Sequence, residues 1–198
     1  MASRTEIANF ALGHFGQYRI ADIDQRDPVG NAVRDVWNIV RDKCLRVYPW
    51  NFAQADATLS KVVVETVPRD WAYVWALPAD YLRLTSCNGV LSGTRDTLFT
   101  VRGQTLLTVE DTAEIVYTRR VVETELWDAT FVEAFSFALA EAVAPHLTLS
   151  TAESDRLAGR KKNSGLEAML SGSIESRPLV RRAAEGSLYA AATRGGCA

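Results

Sequence analysis

The sequence predicts an α+β fold: a helical bundle of about four helices, an antiparallel β-sheet inserted into it, and an extended C-terminal arm. Three observations predict this. Apolar residues recur at helical spacing before Tyr48 and again after Asp128, but not between them. The stretch between is a series of short alternating segments separated by turn residues. The change of pattern falls at Tyr48-Pro49-Trp50-Asn51-Phe52-Ala53. Pro49 has no amide N–H and cannot continue a helix, and it biases Tyr48 toward extended backbone. The expected division is 1–54 with 126–170 for the bundle, 55–125 for the β insert and 171–198 for the arm.

The first helix opens at Ser3-Arg4-Thr5-Glu6, a capping box with Ser3 as N-cap and Glu6 reaching back. Ile7, Ala8, Ala11, Leu12 and Phe15 follow on one face, and Gly16 suits the C′ position. Ile20 and Ile23 should pin the connector to the core. Asp27-Pro28 starts the second helix, with Asp27 as N-cap and Pro28 in the first turn. It should run to about Val47. Val29, Ala32, Val33, Val36, Trp37, Val40 and Cys44 form its apolar stripe, and Arg34, Asp35, Asn38, Arg41 and Asp42 fill the rest. The helix ends at the Pro49 corner. There Tyr48, Pro49, Trp50 and Phe52 are expected to join one packed layer to the next, since aromatic rings contribute large buried areas.

Ala57, Leu59, Val62, Val63, Val64 and Val67 then suggest a strand. Trp71, Tyr73 and Trp75 alternate with Ala72, Val74 and Ala76 in a second. Tyr81 to Cys87 is a third, closed by the turn signal Asn88-Gly89. Thr97 to Val101 and Thr105 to Val109 read as a hairpin around Gly103, and Ala113 to Thr118 as a last strand. No helix long enough for a parallel crossover separates them, so one antiparallel sheet is expected.

Helix resumes at Asp128 or Thr130, where Thr130-Phe131-Val132-Glu133 has the form of a second capping box. Phe131, Phe135, Ala138, Leu139, Ala142 and Val143 form the apolar face. Alanines from Ala129 to Ala144 keep the helix slim enough for a close neighbour, and Pro145 kinks or ends it. Ser150-Thr151-Ala152-Glu153 opens a fourth, weaker helix that carries Arg156, Arg160, Lys161 and Lys162. Beyond Leu170 no face is suited to burial, and Arg177, Arg181, Arg182 and Arg194 outnumber Glu175 and Glu185. This segment reads as an arm that orders on a partner, with a plain disordered tail as the equal alternative.

The chain has 198 residues and is 47% hydrophobic, enough to bury a sizeable core. No run of about 18 apolar residues appears, so no transmembrane helix and no membrane partner are expected. The N-terminus enters an amphipathic pattern at once, which points to synthesis in the cytosol. Cys44, Cys87 and Cys197 lack the spacing of a disulfide framework or a zinc site. A net charge of −2 argues against a nucleic-acid coat. The bias toward arginine suits carboxylate and phosphate interfaces, or simply a GC-rich genome.

No motif of catalysis appears: no phosphate loop, no nucleophile elbow, no His-Glu-x-x-His. His14 and His146 lie on different helices and read as structural residues. Glu110, Asp111 and Glu114 read as a solvated turn with too few oxygens for a metal. The Trp71, Tyr73, Trp75 row could stack bases, but no basic residues interleave it, so core or subunit interface is the better reading. No enzyme, cofactor or metal is expected.

Four segments resemble the tail tubular protein A, or head-to-tail adaptor, family of short-tailed bacteriophages (podoviruses). They are Asn9-Phe10-Ala11-Leu12-Gly13 with Gly16-Gln17 and Ile20; Arg41-Asp42 through Leu45-Arg46 to Tyr48-Pro49-Trp50-Asn51-Phe52-Ala53; Tyr73 to Leu77-Pro78-Ala79-Asp80 with Leu82-Arg83-Leu84; and Ile115-Val116-Tyr117 with Phe131, Phe135, Leu139 and Ala140. Their order and spacing together carry the resemblance, which covers about residues 5–165. It implies a structural virion protein at the neck between head and tail. Such adaptors form a ring, usually a dodecamer, between the portal protein and the tail nozzle protein. The ring extends the channel for genomic double-stranded DNA, without sequence specificity, through which DNA ejection occurs. The family's C-terminal segment commonly contacts the portal, so the resemblance implies a portal-binding role for Arg177, Arg181, Arg182 and Arg194. Two readings from other classes remain open here. Arg160, Lys161 and Lys162 with the arginine tail suit a small nucleic-acid-binding module. A cell-wall hydrolase would need Glu110 or Glu114 as an essential carboxylate.

Overall fold

The computed structural model describes residues 2–64, 67–93 and 98–147, and within them it is an α+β protein with three α-helices and two antiparallel sheets. The expected fourth helix, its capping box and the arm from 171 to 198 lie outside the described residues.

Helix α1 is Arg4–Gly13. Its capping box forms: the Glu6 amide donates to Ser3 Oγ at 3.2 Å, and the Ser3 amide donates to Glu6 Oε2 at 2.7 Å. These bonds to Ser3 hold the Glu6 carboxyl below its usual range. Gly16 takes the left-handed φ of 71°, and Gln17 N–H reaches back to Leu12 O at 3.2 Å. That is a Schellman closure with Gly16 at C′. The connector is pinned as expected, because Ile20 and Ile23 are buried and Asn9 brackets Ile20 with two side-chain bonds to its backbone.

Helix α2, Pro28–Val47, is about 30 Å long at the usual rise per residue. Asp27 caps it by accepting from Gly30 N–H. The expected stripe is buried at Val29, Ala32, Val33, Trp37 and Val40. Arg41 departs from expectation: it is buried rather than on the polar side. It stands one turn from Trp37 and one from Leu45, so the backbone places it on the core face. Its stem packs there while its head pairs with Asp42 at 2.8 Å and with Asn38 Oδ1 at 3.1 Å.

Helix α3 is Ala129–Val143. Asp128 is its N-cap, accepting from Thr130 N–H at 2.7 Å. Thr130 is therefore inside the helix, and its own hydroxyl also donates to Asp128, so no capping box forms around it. The helix contacts both α1 and α2. Burial on two sides widens its buried face to Ser136 and Ala140, beyond the expected stripe, and uses Ala138, Ala140 and Ala144 within the chain's own core. At Pro145 the helix passes into a 3-10 turn, Ala144–Leu147.

The β half consists of β1 Gln54–Thr58, β2 Tyr73–Ala76, β3 Tyr81–Cys87, β4 Val90–Leu91, β5 Phe99–Arg102, β6 Thr105–Thr108 and β7 Glu114–Arg119. The single expected sheet is two: β1-β7-β3-β4 and β2-β6-β5. The strand expected from Ala57 to Val67 is also corrected. It starts earlier, at Gln54, and stops at Thr58, where its register with β7 runs out at Glu114. The chain then crosses to the second sheet, bridging Lys61 to Trp75. Val63 is 99% exposed. Val62 N–H still donates to Val74 O at 2.8 Å, but Val63 and Val64 belong to neither sheet among the described residues.

Two hydrophobic cores result. The larger joins the three helices and contains Trp37, Trp50, Phe131 and Phe135, together with Leu82, Val121 and Trp127. The smaller lies between the sheets around Trp75, Leu84, Phe99, Leu106 and Ile115. Strand β3 serves both, with Leu82 in the first and Leu84 in the second.

Candidate functional site

The helical and β halves meet at the 48–53 corner. An α-helix leaves its last four carbonyls without intrahelical donors, and Pro49 prevents the chain from folding back to supply them. Side chains supply them instead. Trp50 Nε1 donates to Cys44 O at 3.0 Å. Arg83, on β3, donates through Nη1 to Arg46 O at 3.2 Å and to Val47 O at 3.0 Å. Arg46 returns the favour by donating to Leu82 O on the same strand. Trp50 N–H closes a tight turn over Pro49 onto Tyr48 O at 3.0 Å.

The rings of the corner then pack edge to face. Trp50 and Phe52 lie 5.0 Å and 5.1 Å from Phe131 of α3, and Tyr48 lies 5.3 Å from Trp50. This geometry is favourable for aromatic quadrupoles. Tyr48, Trp50 and Phe52 are thus brought together as one joint. A second tie lies beside it, where Asp42 of α2 accepts from Arg120 Nε at 2.9 Å. Sequence reasoning gave Arg41, Arg46, Arg83 and Arg120 no role in a site. Their partners are carbonyls and carboxylates remote in the chain or on their own helix, and no spacing rule marks such pairs.

Other candidates take ordinary places. Trp75 is buried and donates to Thr108 Oγ1 at 2.7 Å, so the aromatic row is in part core. A cation does meet the row: Lys61 Nζ sits 4.4 Å from the Tyr73 ring centroid and 5.4 Å from that of Trp75. His14 bonds Ser136 at 2.9 Å and stacks on Phe137, linking α1 to α3. Glu110, Asp111 and Glu114 are exposed, and no metal-holding cluster occurs among the described residues. Glu110 and Glu114 meet Asn88: the Asn88 amide donates to Glu110 and to Thr112 O, and Asn88 Oδ1 accepts from Glu114 N–H. Burial, then the charge of Glu110, pushes the Cys87 thiol up to about 11, which keeps it protonated and a poor nucleophile near neutral pH. The arginines Arg177, Arg181, Arg182 and Arg194 lie outside the described residues, as do Arg160, Lys161 and Lys162.

A cleft of about 550 Å³ opens beside the joint, between the two sheets. One wall carries Arg46, Tyr81 and Arg83, and the other is β5, from Phe99 to Val101. None of its described lining residues is a carboxylate. Burial pushes the Tyr81 phenol up, against the opposing pull of the nearby Arg46 and Arg83 charges. Among the described residues the arrangement is a slot whose charged lining is Arg46 and Arg83, suited to holding an anionic group.

Compared with protein-family models and with curated proteins, the chain matches none.

Proposed function

We infer that this protein is a structural head-to-tail adaptor of a short-tailed bacteriophage virion, a ring subunit between portal and tail nozzle. The single observation that carries this reading is the resemblance of four segments in the family's order, centred on the Tyr48-Pro49-Trp50-Asn51-Phe52-Ala53 corner. In this reading the bundle comprises 1–54 and 126–170 with a fourth helix, 55–125 is the β insert, and 171–198 is the arm that docks on the portal through Arg177, Arg181, Arg182 and Arg194.

Two features of the described residues support it. A ring subunit under the load of packaged DNA needs its two halves held at a constant angle. The corner ties them with side-chain bonds to α2 carbonyls and with packed rings. A ring also needs two different faces that meet head to tail. The β half offers apolar surface for this, with Val90, Leu91, Leu98 and Val101 exposed. Mass measurement of the protein alone and mixed with its portal, with images of virions, tests the reading. A ring that binds portal is expected. A strictly monomeric protein absent from virions overturns it.

A further inference from the structure

The cleft between the sheets has a feature that neither core formation nor the joint uses. Strand β5 is the outer strand of its sheet, paired only with β6 among the described strands. The hairpin joins Arg102 to Thr105 across the two-residue turn Gly103-Gln104. The pair flanking such a turn is hydrogen-bonded, and pairs alternate from there. Arg102 and Thr100 therefore bond inward to β6. The N–H and C=O groups of Phe99 and Val101 point to the other edge. Val109 N–H donating to Leu98 O at 3.2 Å fits the same alternation. Phe99 and Val101 both line the cleft. Opposite them stand Arg46 and Arg83, each spending Nη1 on backbone carbonyls, which holds the guanidiniums in place; among the described residues their further N–H donors have no hydrogen-bond partner.

We propose that this cleft binds an extended acidic segment of a partner protein, which adds as a strand to the β5 edge and sets a carboxylate against Arg46 and Arg83. Exposed edge strands recruit extended peptides through main-chain bonds, and side-chain pockets then select among them. Guanidinium forks select carboxylates. Two arginines in a confined slot suit one side chain of a peptide. They fall far short of the six to ten phosphate contacts, roughly, that give a duplex binder its affinity. Leu98 and Val101 are exposed and apolar and fall on opposite faces of the strand, so each face of the added strand meets an apolar neighbour. This inference stands apart from the adaptor reading and holds for a monomer as well as for a ring.

The test uses the full chain with isotope-labelled amides and three probes: an end-blocked hexapeptide alternating threonine and glutamate, its lysine-for-glutamate counterpart, and a short DNA duplex. The glutamate peptide is expected to shift the Phe99 and Val101 amides saturably, with at least tenfold tighter binding than the lysine peptide. Val101→Pro removes one outward N–H, a change an edge strand tolerates. It should abolish the shifts at unchanged circular dichroism. Should Val101→Pro not fold, Arg46→Gln in its place should weaken glutamate-peptide binding at least tenfold. Equal binding of both peptides, shifts confined to other residues, undiminished binding in a folded variant, or the same amides shifting only with DNA would overturn the proposal.

Discussion

Trp50 fills space in the helical core and also satisfies a carbonyl that the end of α2 leaves open. The two roles separate by substitution. Trp50→Ala removes the ring and should cost about 3–5 kcal/mol. Trp50→Phe keeps most of the packing but removes the indole bond to Cys44 O, and should cost about 0.5–1.5 kcal/mol. Chemical denaturation of both variants measures the difference; equal losses would mean that the indole bond contributes nothing. Gly30 presents the reverse case. Alanine in a helix interior normally stabilises by about 1 kcal/mol over glycine. Here a Cβ would meet Gln25 O at 2.9 Å and the capping Asp27 Oδ1 at 2.8 Å. Gly30→Ala should therefore lower Tm, because backbone cannot step aside cheaply. Cys87 carries a pH signature. Its thiol is raised to about 11, so the folded state keeps its proton where the unfolded chain has lost it. Its contribution is complete below the unfolded thiol range and is lost as pH rises from about 9 to 11, at most about 3 kcal/mol. Comparing wild type with Cys87→Ala across that range checks the sign.

At the scale of elements, ends mattered more than middles. The starts of α1 and α2 were legible because capping is local: Ser3 and Glu6, or Asp27 and Pro28, solve the problem of orphan amides within four residues. The end of α2 was legible as a break at Pro49, but not as a cap, because its donor Arg83 arrives from β3. The hairpin at Asn88-Gly89 shows both situations together. Asn88 has a φ of 48° and Gly89 of 80°, the two left-handed positions of a type I′ turn, which the sequence announces. The Asn88 side chain also holds the 110–114 loop, which the sequence does not announce. Asn88→Gly should lose only the side-chain bonds. Asn88→Ala should lose them and also strain the backbone, falling below Asn88→Gly by about 1 kcal/mol in denaturant unfolding. The reverse ranking would show the turn to be of another type.

For the whole molecule, the decisive fact is that two cores share one strand. Leu82 and Leu84 are two residues apart on β3, beside a register shift between Tyr81 and Arg83, and one packs among helices while the other packs between sheets. Force applied to the β half therefore reaches the helices through β3, the corner and the Asp42–Arg120 pair. On the adaptor reading, deleting Ser176–Ala198 should leave the fold and its Tm intact while abolishing portal docking. Full portal affinity in the truncated protein would refute the role assigned to Arg177, Arg181, Arg182 and Arg194. It would leave the ring itself open to a separate mass measurement.

The sequence by itself determined the α+β class, the starts of α1 and α2, the break at Pro49 and the Asn88-Gly89 turn. Each depends on residues within a few positions of one another, where steric limits and orphan backbone groups leave few solutions. Only the tertiary structure decided that the β strands divide into two sheets and that Val63 faces solvent. It alone decided that Arg41 is buried and that Arg46 and Arg83 knit a helix end to a strand. Strand partners and buried cations are chosen by neighbours remote in the chain, and local propensity carries no record of them.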